Sequence, residues 1–176
     1  MIKIKASPQQ ATALSKQWRL GEGPLLTLRR WVVGLSMAGA SSMGLIVLYQ
    51  VGILKHLPEP PLPRLDADKV DASAEAYATF ELPDGILGLS SYAATMALAA
   101  MGGQDRVQEQ PWLPLALAAK VAFDTFQAGK LTLNQVNKQH AFCSWCLLAA
   151  ASTALTVPLV IPEAYVALRW LLGKTP

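Results

Sequence analysis

Trp31-Val-Val-Gly-Leu-Ser-Met-Ala-Gly-Ala-Ser-Ser-Met-Gly-Leu-Ile-Val-Leu-Tyr-Gln-Val-Gly-Ile53 runs for twenty-three residues without a charged side chain. A helix needs about 20 such residues to cross a hydrocarbon layer about 30 Å thick. The run is too long for the h-region of a cleaved signal peptide, about 7–15 residues, and thirty residues precede it. It reads as a retained membrane anchor.

Three more segments follow the same rule. Gly85–Gly103 is nineteen uncharged residues and Ala141–Ile161 is twenty-one, while 111–128 is apolar apart from Lys120 and Asp124. Over the whole chain 52% of residues are hydrophobic and 15% are charged. A soluble domain carries about 25% charged residues, spread to solvate its surface. The expected fold is therefore all-α, an integral membrane four-helix bundle over residues 31–173 with spans at 31–53, 85–103, 111–128 and 141–161. Residues 1–30 form a cytoplasmic tail, poorly ordered or lying as an amphipathic helix on the membrane. The net charge of +3 has no basic stripe with interleaved aromatics, so nucleic acid is not an expected partner; membrane lipid is.

Lys3, Lys5, Lys16, Arg19, Arg29 and Arg30 precede the first span against one acid, Glu22. Positive residues near a span stay inside, which places both termini in the cytoplasm of a bacterial inner membrane or on the equivalent side of a thylakoid. Arg169 and Lys174 agree, and Arg106 is the one basic residue of the short loop 103–110. The acidic loop 54–84 then faces the periplasm or lumen. Its prolines from Pro58 to Pro63 favour an extended strand, and 71–80 is helix-compatible, a short helix across the outer end. Pro158 and Pro162 are expected to kink or end the last span, with Glu163 marking its exit and Tyr165–Leu172 an interfacial tail. Trp31, Trp112 and Trp170 suit an aromatic belt. Lys120 and Asp124, at i and i+4, read either as a mutually satisfied pair or as a proton path.

Cys143 and Cys146 are the only cysteines. At i and i+3 they share a helix face, and at a helix N-terminus the free N–H groups and macrodipole stabilise a thiolate. On the orientation above they lie at the oxidising side of the membrane. A redox pair explains the spacing better than two core thiols do. No metal site is expected, because His140 is the only other ligand nearby. His140 could stabilise the thiolate or relay a proton, and Trp145 could stack on a ring or simply pack. The lipid-soluble electron sink available in a membrane is a quinone.

Cys143-Ser144-Trp145-Cys146-Leu147-Leu148 resembles the Cys-Pro-Trp-Cys-Leu-Leu of the bacterial branch of the vitamin K epoxide reductase family. Leu82-Pro83, Leu87-Gly88-Leu89 and Tyr92 are similar to the start of that family's second helix, and Tyr77-Ala78 before them fits as well. The resemblance implies that Cys146 stands next to a quinone of the ubiquinone, menaquinone or plastoquinone type. It implies that Cys143 exchanges with a second cysteine pair in the outer loop. That pair is absent: its cysteine falls near Asp68 or Lys69. Asp84 stands where some members hydrogen-bond the quinone with Asn, Ala150 where some place Tyr, and Ser144 where Pro is frequent.

The resulting expectation is a membrane thiol:quinone oxidoreductase supporting disulfide formation. Cys143 and Cys146 are its catalytic residues, and Trp145, Asp84, Tyr92 and His140 line the quinone. Without loop cysteines the electron donor is a thioredoxin-like periplasmic or lumenal protein acting in trans. The alternative is a non-catalytic membrane scaffold or assembly subunit on the same fold.

Overall fold

A computed structural model describes residues 7–173. The elements are α1 (Pro8–Leu20), α2 (Pro24–Gln50), α3 (Ala67–Asp71), a 3-10 turn (Ala74–Tyr77), α4 (Asp84–Ala100), α5 (Arg106–Glu109), α6 (Trp112–Asn134), a π turn (Gln135–Gln139) and α7 (Ser144–Leu171). Among the described residues there is no strand, and Leu65 and Phe142 make one isolated parallel bridge. The four long helices pack in a ring, α2 against α4 and α7, and α6 against α7 and α4. By length and composition α2 and α7 can cross a membrane. The seventeen-residue α4 and α6, with Lys120, Asp124 and Lys130, fall short of the same measure.

An apolar interior built on Val32, Ile46, Leu113, Leu117 and Val121 is interleaved with small hydroxyl side chains, and large apolar side chains also cover the outside. Ser36, Ser42, Thr95, Ser152, Thr153 and Thr156 are buried, while Met37, Phe123, Phe126, Leu155 and Ile161 face outward. In water so much exposed apolar surface is a liability; in lipid, helices associate through small residues and interhelical hydrogen bonds instead. Two contacts show this at atomic scale. A Cβ on Gly39 would lie 2.3 Å from the Tyr92 ring, and one on Gly88 would lie 2.5 Å from Met43 Sδ. Glycine lets α2 and α4 approach. Trp31, Trp112 and Trp170 are exposed.

Away from the cysteines, two guanidinium groups gather the C-terminal carbonyls of α4. Arg29 donates to Ala99, Met101, Gly102 and Gly103 at 2.8–3.1 Å. Arg106 donates to Leu98 at 2.7 Å and Met101 at 2.9 Å. Helix C-termini leave four carbonyls unpaired and carry the negative end of the dipole, so two cations are well placed there. Arg106 also pairs with Glu163 at 2.5 Å, both fully buried.

Several expectations are corrected here. Of the two readings of the tail, residues 8–20 take the helical one. The helix is capped at Ser7, whose Oγ accepts the Gln10 N–H at 3.3 Å while Gln10 Oε1 accepts the Ser7 N–H at 3.0 Å. Arg30 then holds its C-terminus by donating to Trp18 at 2.7 Å and Gly21 at 2.9 Å. The first long helix begins at Pro24, not Trp31, and α6 continues to Asn134. α7 runs through Pro158 and Pro162 to Leu171. A proline inside a helix costs about 3 kcal/mol, but α7 is held by packing on α2, α5 and α6 and by the Arg106–Glu163 pair beyond the prolines. Glu163 is thus an internal ion-pair partner, and Tyr165–Leu172 continues the same helix rather than forming a separate tail. The helix expected over 71–80 is displaced: Asp66 caps an earlier one by accepting the Lys69 N–H at 3.0 Å, and only a 3-10 turn follows. Lys3, Lys5 and Lys174 lie outside the described residues.

Candidate functional site

Cys143 is the N-cap of α7, and its Sγ accepts the N–H of Cys146 at 3.1 Å. That bond explains the local fold: an N-cap acceptor satisfies an orphan N–H of the first turn. The Cys143 N–H is in turn donated to Gln135 Oε1 at 3.1 Å. The next free N–H, of Ser144, is donated to Glu59 Oε1 at 2.6 Å, and Glu59 Oε2 accepts the Ala67 N–H at 2.7 Å. Glu59 therefore sits at the positive ends of both α3 and α7, where a carboxylate is favoured.

These bonds lay the 54–71 loop across the start of α7. Asp66 N–H donates to Phe142 O at 2.9 Å and Phe142 N–H to Arg64 O at 2.8 Å. The Trp145 indole donates to Pro58 O at 2.8 Å. Leu57, Ala67 and Val70 pack with Ile46 and Ala141 around Cys143, whose exposure is 0%. The first cysteine is sealed. Both thiols are free.

Cys146 faces the other way, into a cavity of about 330 Å³. Its apolar wall includes Met43, Ile46, Val70, Leu87, Phe123 and Leu131, and its polar groups include Asp71, Asp84, Tyr92, Asp124 and Thr153. The volume and the apolar wall with a few polar groups are those of a small-molecule site. Tyr92 donates to Ala149 O at 2.6 Å and lies 2.7 Å from Thr153 Oγ1. Asp84 Oδ1 accepts from Gln50 Nε2 at 2.7 Å. Gln50 also donates to Asp71 O at 3.3 Å and accepts the Gly85 N–H at 3.1 Å, so one amide ties α2 to α3 and α4. Lys120 pairs with Asp124 and donates to Ser91 Oγ at 2.7 Å. The pair is satisfied internally, while Asp124 still reaches the cavity wall.

The four expected quinone contacts separate. Asp84 and Tyr92 line the cavity beside Cys146. Trp145 and His140 are not in that wall. Trp145 packs on the cluster around Cys143 and anchors the loop; His140 is exposed, at the left-handed residue (φ 52°) that ends the π turn.

Asp71 is the group the sequence did not single out. It is 1% exposed, its Oδ1 lies 3.3 Å from Cys146 Sγ, and its Oδ2 has no partner. The carboxylate and the two sulfurs all lie within 4.8 Å of one another. A closed structural zinc site would need a fourth ligand. Burial pushes the Asp71 carboxyl up to about 6; hydrogen bonds from Cys143 and Cys146 oppose the rise, and the charges of Asp84 and Glu59 add to it. A signal for it was present: Ala67, Val70 and Asp71 stand at i, i+3 and i+4, so a carboxylate occupies the apolar stripe of a short helix.

No curated protein and no solved structure gives a match. A family model described as the vitamin K epoxide reductase family matches residues 30–161. The matched span contains the cysteine pair, the loop that covers it and the cavity beside it. The chain belongs to the vitamin K epoxide reductase family.

Proposed function

We propose that this protein is an integral-membrane thiol:quinone oxidoreductase that supports disulfide formation. All four long helices cross the bilayer, of a bacterial inner membrane or a thylakoid, with both termini cytoplasmic. The family is one of membrane oxidoreductases. The observation that carries the finer reading is the placing of the two sulfurs. Cys146 opens on an apolar cavity large enough for a ring, and Cys143 stands directly behind it, in contact through the Cys146 N–H.

The cavity residues suit a quinone: apolar walls for the ring and its tail, polar groups for its oxygens, and an unpartnered buried carboxylate oxygen on Asp71. When bound, a quinone supplies a two-electron sink and leaves as the quinol. On the protein side two S–H bonds break and the Cys143–Cys146 bond forms, releasing two electrons and two protons. At the N-cap the Cys143 sulfur accepts the Cys146 N–H, and the loop keeps water from it. Electrons return from a thioredoxin-like periplasmic or lumenal dithiol in trans, which exchanges with Cys143 once the loop lifts.

Purified protein with a reduced thioredoxin-like donor and a ubiquinone-, menaquinone- or plastoquinone-type acceptor is the test, followed by the change in quinone absorbance. Turnover lost in both Cys143→Ser and Cys146→Ser is the expected result. No turnover with any of the three acceptors by the folded, reduced wild type would leave the scaffold reading in its place.

A further inference from the structure

We propose that Asp71 is a catalytic residue of the cysteine pair, taking the Cys146 proton as the thiolate forms and returning it when the disulfide is reduced. This rests on the thiol chemistry of the preceding section but not on the identity of the electron acceptor.

Geometry carries the assignment. Asp71 Oδ1 is the only carboxylate oxygen recorded in hydrogen-bond contact with Cys146 Sγ among the described residues, at 3.3 Å. Its second oxygen is buried without a partner. Buried polar groups are nearly always paired, and a carboxylate kept for structure alone would be expected to use both oxygens, as Glu59 does. Burying it is costly, and among the described residues the groups that hydrogen-bond its side chain are the two thiols. The backbone of Asp71 makes the bond to Gln50, so the side chain serves no capping role. What it touches is a reacting atom.

The chemistry requires such a group. Cys146 lies in an apolar cavity, where a thiol does not lose its proton to water readily. A carboxylate in contact converts Cys146–SH and Asp71–COO⁻ into Cys146–S⁻ and Asp71–COOH with no net charge change in the cavity. The Cys143–Cys146 bond then forms as the Cys143 S–H breaks. Two electrons and the Cys143 proton go to the acceptor, a quinone in the membrane, whose second proton comes from water. Asp71 keeps the Cys146 proton until the disulfide is reduced. The ionisable groups that face Asp71 are Glu59 from the loop, Asp84 at the head of α4, Tyr49 from α2 and the two thiols. Among the described residues no cation pairs with it, so its carboxyl is poised to hold a proton near neutrality rather than locked as a charge.

The test uses the reduced full-length protein in detergent and diamide as oxidant, so that no quinone is needed. The rate of disulfide formation is followed against pH for wild type, Asp71→Asn, Asp71→Glu and Glu81→Gln. Near pH 7, Asp71→Asn should be slower by about a hundredfold, within the range of general-base catalysis. Its rate should approach that of wild type only at pH high enough to ionise the thiol directly. Asp71→Glu should recover part of the rate, and Glu81→Gln, at an exposed loop acid outside the cavity wall, should retain nearly all of it. Equal rates for wild type and a folded Asp71→Asn across the range would overturn the proposal. Should Asp71→Asn not fold, the wild-type profile decides: a rise through the carboxyl range near 6 supports it, and a rise confined to the thiol range overturns it. Asp71-dependent oxidation by diamide without quinone turnover would remove the quinone reading and leave this one standing.

Discussion

Glu59 Oε1 accepts the backbone N–H of Ser144 at 2.6 Å, eighty-five positions further along the chain. With its other oxygen on Ala67, this carboxylate holds the loop over Cys143. Cys143 has 0% exposure, so a reagent reaches its sulfur only after these bonds loosen.

Glu59→Gln should therefore weaken the cover. An amide offers only one acceptor where two N–H groups need one, and a charge-assisted bond at a helix start is lost, at a cost of about 2 kcal/mol. Alkylation of Cys143 by a thiol reagent, followed by mass spectrometry, should accelerate by about tenfold or more on that scale. An unchanged rate would mean that the loop opens elsewhere.

Stability should depend on pH through Asp71. Its folded carboxyl is raised from the ordinary 3.8 to about 6, so the folded state binds the proton more tightly than the unfolded chain. The linkage therefore favours folding below about 4 and loses that favour as pH rises to about 6, by about 3 kcal/mol at most. Melting temperatures of wild type and Asp71→Asn across that window measure it: the variant should show the flatter profile.

Glu163→Gln should be among the most damaging substitutions away from the cysteines. It leaves Arg106 buried with its charge unmatched, which costs about 3–5 kcal/mol. Arg106→Met with Glu163→Leu should cost less than Glu163→Gln alone. Thermal unfolding in detergent checks the order; a double variant worse than the single would contradict it.

Gly39→Ala should destabilise the bundle by about 1–3 kcal/mol as an overpacking change, because its Cβ would fall 2.3 Å from the Tyr92 ring. Tyr92 lines the cavity, so the same variant should weaken acceptor binding. Gly34→Ala, with nothing within 4 Å of the added carbon, is the control and should be neutral or slightly stabilising.

Hydrophobic run length and charge segregation determined that the chain is helical and suited to lipid. Both properties are local, and lipid leaves the backbone few alternatives to a helix. The Cys-x-x-Cys spacing likewise placed two sulfurs at one helix start, since Cys143 is itself the cap. The ends of the helices were less legible. Pro158 and Pro162 look like terminators until Arg106, from another helix, pairs with Glu163 beyond them. Asp71 counted among seven loop acids by charge alone; only folding α3 under the start of α7 separates it from Asp66 and Asp68 and sets it against Cys146. His140, three residues before Cys143, was the nearer candidate in sequence. A left-handed turn leaves it exposed, and the contact with Cys146 falls to a residue seventy-five positions away. Spacing along one helix can be read from a sequence, but which loop residue meets it depends on how the loop is tied down.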